Sequence, residues 1–304
     1  MFTLLLPPWL WAVFTVIAAG AQTARNAMQR DLVGAVGTQG ATYVRFLFGL
    51  PFAVLFLCAQ LLLIDAPLPI PSLRSVGWAA IGALMQVLAT AFMLVSMQGR
   101  SFVVTIAFTK TEPIIIALLS IVILGEVPSL MTSAAIVVAT AGVLLMSLPA
   151  TSEGAGRPGL KAALIGLASG ACFGFSATGY RVSMVGLDSS SFILTATVTM
   201  LMGLAIQCVA ILVWLALRDR ALLVAIVKNW RPSLLAGFMG ALATQFWFLA
   251  FAITNPTRVR TLALVEVPFA QVVSRKIFKQ RMSAPEIAGM GLIVAGVVLL
   301  LNGQ

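Results

Sequence analysis

Apolar runs about as long as a bilayer is thick alternate with short polar turns along the whole chain, the signature of transmembrane helices. The alternation predicts ten spans, at residues 9–28, 39–64, 73–97, 102–124, 130–148, 160–185, 191–217, 232–253, 257–278 and 284–301. One break differs from the other turns. A stretch rich in Ser, Gly and Pro follows Leu148 and divides the chain into a first five-span unit, 1–149, a linker, 150–159, and a second five-span unit, 160–304.

The pattern also repeats. Moving 154 positions down the chain places Glu112 on Glu266, Ser129 on Ser283, Ala134 on Ala288 and Gly142-Val143 on Gly296-Val297, while Pro113 falls one residue short of Pro268. The same offset carries Gly49 onto Gly203, and one residue more carries Leu94 onto Leu249. Five spans is an odd number, so the second copy must enter the membrane from the opposite side. The expected fold is therefore an all-α polytopic membrane protein of ten transmembrane helices arranged as two inverted five-helix repeats.

Composition agrees and narrows the chemistry. The chain is 61% hydrophobic and 9% charged, against roughly 25% charged in a soluble domain. Residues 1–8 carry no basic segment, so the first apolar run reads as the first span and not as a cleaved signal. The net charge is +10, but the cations lie mostly between spans, so topology explains them and no nucleic acid is expected as partner. Histidine is absent, and Cys58, Cys172 and Cys208 are scattered through apolar runs. Neither a metal site, a cofactor nor a disulfide follows from them.

Counting Lys and Arg gives four on the side that holds the termini (Arg74, Arg181, Arg258, Arg260) and thirteen on the other, with Arg45 and Lys110 inside spans. The positive-inside rule then puts both termini outside the cytoplasm of a cell inner (plasma) membrane.

The run Thr111-Glu112-Pro113, then Leu124-Gly125-Glu126-Val127-Pro128-Ser129, closing on Ala141-Gly142-Val143, resembles the repeat of the drug/metabolite transporter superfamily in its ten-helix EamA-type branch. The second copy is looser, with Gln280-Arg281-Met282 where Glu126-Val127-Pro128 stands in the first. The resemblance implies a metabolite carrier with a central cavity between the halves, working by alternating access, and looks most like bacterial exporters of amino acids, aromatic ones included. Many eukaryotic relatives are described with cytosolic termini, contrary to the charge count.

Ionisable residues inside spans are costly, so each is a site candidate. Lys110 and Glu112 are two positions apart, roughly 200° around a helix, and face different partners. Pro113 can kink or unwind that turn. Lys110 can instead snorkel, and Glu112 can pair with an arginine for stability. Glu266 holds the matching place in the second half. Arg45 suits a substrate carboxylate or, as the preferred reading, a salt bridge to Glu112. The polar faces of the first and sixth spans are Gln22, Thr23 and Asn26, and Ser176, Thr178 and Tyr180; Gln86 and Thr90 in the third compare with Thr244 and Gln245 in the eighth, the latter beside Phe246, Trp247 and Phe248. The expected substrate-binding set is Gln22, Asn26, Gln86, Thr90, Lys110, Glu112, Tyr180, Gln245, Trp247 and Glu266. Polar residues in membranes also simply bond helices together. Gly166, Gly170 and Gly174 form one smooth face for close packing, and Ser283 with Glu286 forms a capping box opening the tenth span.

Three functions fit membrane helices without histidine. The preferred one is a secondary transporter exporting small metabolites, amino acids foremost, with a multidrug or cationic-compound exporter as alternative. A structural or lipid-handling membrane protein comes next. An intramembrane enzyme fits worst, since Glu112 and Glu266 are its only acids away from the span ends. The partners expected are a small-molecule substrate and the lipid bilayer, and a monomer suffices.

Overall fold

A computed structural model describes residues 6–97, 112–146, 160–266 and 284–302. Among the described residues the regular structure is helical throughout, and the chain is an all-α polytopic membrane protein. Four segments, Asp31–Leu63, Leu73–Met93, Phe192–Arg218 and Trp230–Ile253, are long and apolar enough to cross a bilayer. Shorter apolar helices cover Glu112–Leu124, Leu130–Leu145 and Ile287–Asn302.

The first helix, α1 (Leu10–Leu47), joins the predicted first and second spans. It is broken at Gly37, whose φ of 68° and ψ of 172° suit a residue without Cβ. The break reverses the chain. Gln29 Nε2 donates to the Ala41 carbonyl at 2.6 Å, yet twelve residues of straight helix would separate them by about 18 Å. Residues 29–38, expected as loop, are therefore helix up to the reversal. A second interruption precedes α2 (Leu50–Leu63), where Pro51 supplies no N–H to Leu47.

The remaining helices lie in the expected spans where these are described, except a short helix at Arg220–Lys228 in an expected turn; residues 102–111 and 267–278 of the expected fourth and ninth spans lie outside the described residues. These helices are α3 (Leu73–Met97), α4 (Glu112–Leu119) with a π-helical turn at Ser120–Leu124, α5 (Leu130–Met146), α6 (Leu160–Val185) and α7 (Phe192–Arg218). Then come α8 (Arg220–Lys228), α9 (Trp230–Ile253), α10 (Pro256–Leu262) with a 3-10 turn at Ala263–Val265, and α11 (Ala284–Asn302). The π turn closes on Gly125 in the left-handed region, and Pro128 prevents continuation. The capping box at Ser283–Glu286, and Lys110, lie outside the described side chains.

Two compact units result, and each draws on both halves of the sequence. The first is residues 1–84 with 179–254; the second is 85–178 with 255–304. In the first unit, α1 packs along α9; Gly237 lies against Phe48, just past α1, and Gly240 against Arg45 of α1. Ser183 of α6 donates to the Ser75 carbonyl of α3 at 2.8 Å.

In the second unit the principal packing is α5 against α11. A Cβ on Gly142 would lie 2.6 Å from the Gly289 carbonyl oxygen and 2.8 Å from the Ile293 nitrogen. A Cβ on Gly296 would lie 2.7 Å from Ala139 Cβ and 2.9 Å from the Ala135 carbonyl oxygen. The partners 289 and 293 are 135 and 139 advanced by the repeat offset of 154. Each glycine thus touches the other copy's equivalent of what touches it. As the residue number falls along α5 it rises along α11, so these matched helices cross antiparallel, as inverted copies must. Ala139, Val143, Ile293 and Leu264 form the buried apolar cluster at this crossing. Gly174 packs on Ile115 of α4, with Gly166 and Gly170 also buried, in keeping with the smooth face expected of them.

Replacing Gly142 or Gly296 by Leu should therefore lower the melting temperature sharply, costing about 1–3 kcal/mol or more by overpacking. Gly20, in the helical part of α1 with nothing within 4 Å of its Cβ position, should accept Ala at no cost. Thermal melting of purified variants tests this; equal melting of Gly142→Leu and Gly20→Ala would refute the crossing.

Candidate functional site

The expected site residues fall into two groups. Gln22, Asn26, Tyr180, Gln245 and Trp247 belong to the first unit; Gln86, Thr90, Glu112 and Glu266 belong to the second.

The first group centres on α1, α6, α7 and α9. Trp247, 4% exposed, donates its indole N–H to Gln22 Oε1 at 3.2 Å, and its ring stacks at 6.5 Å from that of Phe251. Asn26 is exposed, and its amide oxygen accepts from Arg25 Nη2 at 2.8 Å. Tyr180 is buried against Phe248, ring centroids 4.6 Å apart, and its hydroxyl accepts from Gln207 Nε2 at 3.3 Å. That hydroxyl would lie 2.7 Å from a Cβ on Gly203, so the glycine makes room for the phenol.

Gln245 is tied into a relay. Its Nε2 donates to Thr197 Oγ1 at 2.8 Å, and Thr197 in turn donates to Gln60 Oε1 at 2.6 Å. These bonds join α9, α7 and α2, so Gln245 fastens helices together. Gln60, Thr197 and Gln207 escaped the sequence reading. Gln207 stands alone in the apolar run from Leu201 to Leu217, and an isolated amide in a span is the signal that could have found it.

Arg45 and Arg25 are the cations of this group. Gly240 of α9 holds them together, because a Cβ there would meet Arg45 Cβ at 3.3 Å and Arg25 Cδ at 3.4 Å. The Arg45 guanidinium lies 4.2 Å over the Phe46 ring. Arg181 Nη1 donates to the Phe251 and Ala252 carbonyls at 2.7 and 2.9 Å, closing the C-terminus of α9.

The second group carries the acids. Glu112 is buried and its Oε1 lies 3.3 Å from Arg260 Nε, with both side chains mostly enclosed. The basic partner of Glu112 is thus Arg260 of α10, and the salt bridge to Arg45 expected from sequence is replaced by this one. Arg260 comes within reach because α10 starts early. Asn255 accepts the Thr257 N–H at 2.7 Å as N-cap and Pro256 takes the first helical position. Asn255 also donates to Glu126 of the Gly-Glu-Val-Pro-Ser turn, and Ser120 Oγ lies 3.4 Å from both Asn255 Oδ1 and Thr257 Oγ1. Glu126, read as part of a turn, is therefore the acceptor that holds the start of α10. Glu266 follows the 3-10 turn and is half-buried. Thr90 is buried, its hydroxyl donating to the Gln86 carbonyl at 2.8 Å, and Gln86 is half-buried.

A model of the EamA-like transporter family matches residues 6–148 and again residues 160–302. The chain belongs to the EamA-like transporter family. It is accordingly a membrane transporter of small molecules, in a family of transporters and not of enzymes. A solved structure described as "Crystal structure of protein" has a TM-score of 0.68 over 96% of each chain, at 14% sequence identity, which shows a shared fold. A search of curated proteins found no match. The two matches of the EamA model carry Glu112 and Glu266 at corresponding places, and both glutamates belong to the second unit.

Breaking a buried ion pair by removing one partner costs about 3–5 kcal/mol. Glu112→Gln and Arg260→Met should each lower the melting temperature strongly, while the double variant should recover part of the loss. A double-mutant cycle by thermal melting measures the coupling, and strictly additive effects would separate the two residues.

Proposed function

We propose that this transporter exports amino acids, aromatic ones included, from the cell across the inner (plasma) membrane. Transport proceeds by alternating access through a central cavity between the five-helix units 1–149 and 160–304. The observation that supports the substrate class is the seam of α1 and α9, where Arg25 and Arg45 lie on Gly240 and Gln22 bonds Trp247. Guanidinium groups suit a carboxylate, amide oxygens suit an ammonium, and Trp247, Phe248 and Phe251 suit an apolar or aromatic tail. Two arginines on one glycine disfavour a cationic drug, so the multidrug reading is the weaker one.

A monomer completes the set of residues, the bilayer is its surroundings, and nucleic acid has no part. Glu112 already has Arg260 as partner, which favours a facilitator or weakly coupled exporter over strict proton exchange. Both termini are proposed to lie outside the cytoplasm. Arg25, Arg30, Arg181 and Arg260 belong to helix interiors; leaving them out of the charge count makes it eleven against two in the same direction.

In liposomes, counterflow of labelled phenylalanine should proceed without an imposed pH gradient. Arg45→Gln should reduce it by about tenfold or more, the loss of one charge-assisted hydrogen bond, with near-normal folded yield. Unchanged counterflow in Arg45→Gln, or transport of a cationic dye and not of phenylalanine, would refute the assignment. A reporter fused after Gln304 should lie outside the cytoplasm, and a cytoplasmic reporter would reverse the orientation.

A further inference from the structure

The segment between α7 and α9 has no part in the transport reading, yet it is built for a definite surface. α8 has nine residues, a length of about 14 Å, too short to cross a bilayer. One face is fixed inward. Ile226 is 1% exposed, and Leu222 Cδ1 lies 2.9 Å from the Cβ position of Gly40, three residues past the reversal of α1. The other face is exposed and apolar, through Val224 and Val227, with Trp230 beside it at the start of α9 and Trp214 and Leu217 on α7.

Around that apolar face stand exposed cations. Arg218 and Arg220 lie at the start of α8, and Lys228 and Arg231 at its end. The one acid among them, Asp219, is engaged in capping α8, accepting the Leu222 N–H at 2.9 Å. Each outer arginine is paired with a tryptophan: the Arg218 guanidinium lies 5.9 Å from the Trp214 ring and that of Arg231 5.5 Å from the Trp230 ring. Tryptophan settles at headgroup depth, and a cation there meets lipid phosphate.

We propose that α8 and its flanks bind the headgroups of anionic phospholipids, and that the bound lipid holds α8 against the reversal of α1. The apolar face enters the acyl boundary while Arg218, Lys228 and Arg231 take the phosphates. A free phosphate ion offers nothing to Val224, Val227 and Trp230, so the ligand is a lipid. Each cation near an anionic surface contributes about fivefold to binding. Losing three should weaken retention on the order of a hundredfold.

The test reconstitutes the full chain in nanodiscs of phosphatidylcholine, with and without phosphatidylglycerol. The wild type should melt higher with phosphatidylglycerol and should carry that lipid through detergent extraction, as native mass spectrometry reads. The preference should shrink at high salt. The variant Arg218→Gln/Lys228→Gln/Arg231→Gln should melt like the wild type in phosphatidylcholine but lose both the shift and the retained lipid. Arg74→Gln, at the start of α3, should keep both. Equal wild-type melting in the two lipids, the same lipid retention in the triple variant, or the same shift produced by inorganic phosphate would each overturn the proposal.

Discussion

The close crossing of α5 and α11 is the constraint on which the second unit depends. Lipid tails are as apolar as leucine, so helices in a membrane gain little from burying apolar surface and must gain from contact itself. Contact is greatest where backbones meet, and Gly142 and Gly296 admit the carbonyl or nitrogen of the facing helix to within 3 Å of where a Cβ would stand. An inverted repeat makes such a position count twice. One small position of the repeat occurs twice in the chain, as Gly142 and Gly296, and the antiparallel crossing brings each against its partner's neighbours, as in a two-fold symmetric interface.

The charged residues of that unit hang from the same crossing. Leu264, in the 3-10 turn that ends at Val265, packs into the cluster of Ala139, Val143 and Ile293. That anchors the C-terminal end of α10 while the Glu126–Asn255 bond anchors its N-terminal end. A helix of seven residues held at both ends can place Arg260 on Glu112 with little freedom to lose. The pair is buried, so its attraction must offset a large desolvation cost. A rigid mounting of this kind helps it do so.

How much of this could be read in advance divides along a physical line. Span positions and the repeat were legible because apolar length and spacing are local properties: α3 and α6 run over the predicted residues 73–97 and 160–185 without a shift. The glycines at 142 and 296 were visible as repeat mates, but their contact required knowing which faces meet. Partner choice was not legible at all. Arg260 was counted as a flanking charge, although Asn255-Pro256 ahead of it is a helix start that places it in the first turns of α10. The reversal at Gly37 was placed by the sequence pattern only to within ten residues, because the helix extends polar as well as apolar residues up to the glycine.

The two units differ in how they handle charge, and the difference bears on what each can do. In the first, Asp31, Asp65, Asp188 and Asp219 are all exposed, whereas Arg25 is buried and Arg45 and Arg181 are half-buried. Arg25 bonds the Asn26 amide oxygen, and Arg181 bonds the Phe251 and Ala252 carbonyls. In the second, Glu112 is buried, Glu126 and Glu266 are half-buried, and the visible bonds of Glu112 and Glu126 go to Arg260 and Asn255. A guanidinium inside helices is a group that a carboxylate on a substrate can use, while an acid already bound to a guanidinium helps to hold the fold. On that argument the proposed recognition of a carboxylate falls to α1 and α9. Of the two glutamates that first mark the repeat in the sequence, Glu112 is bound to Arg260.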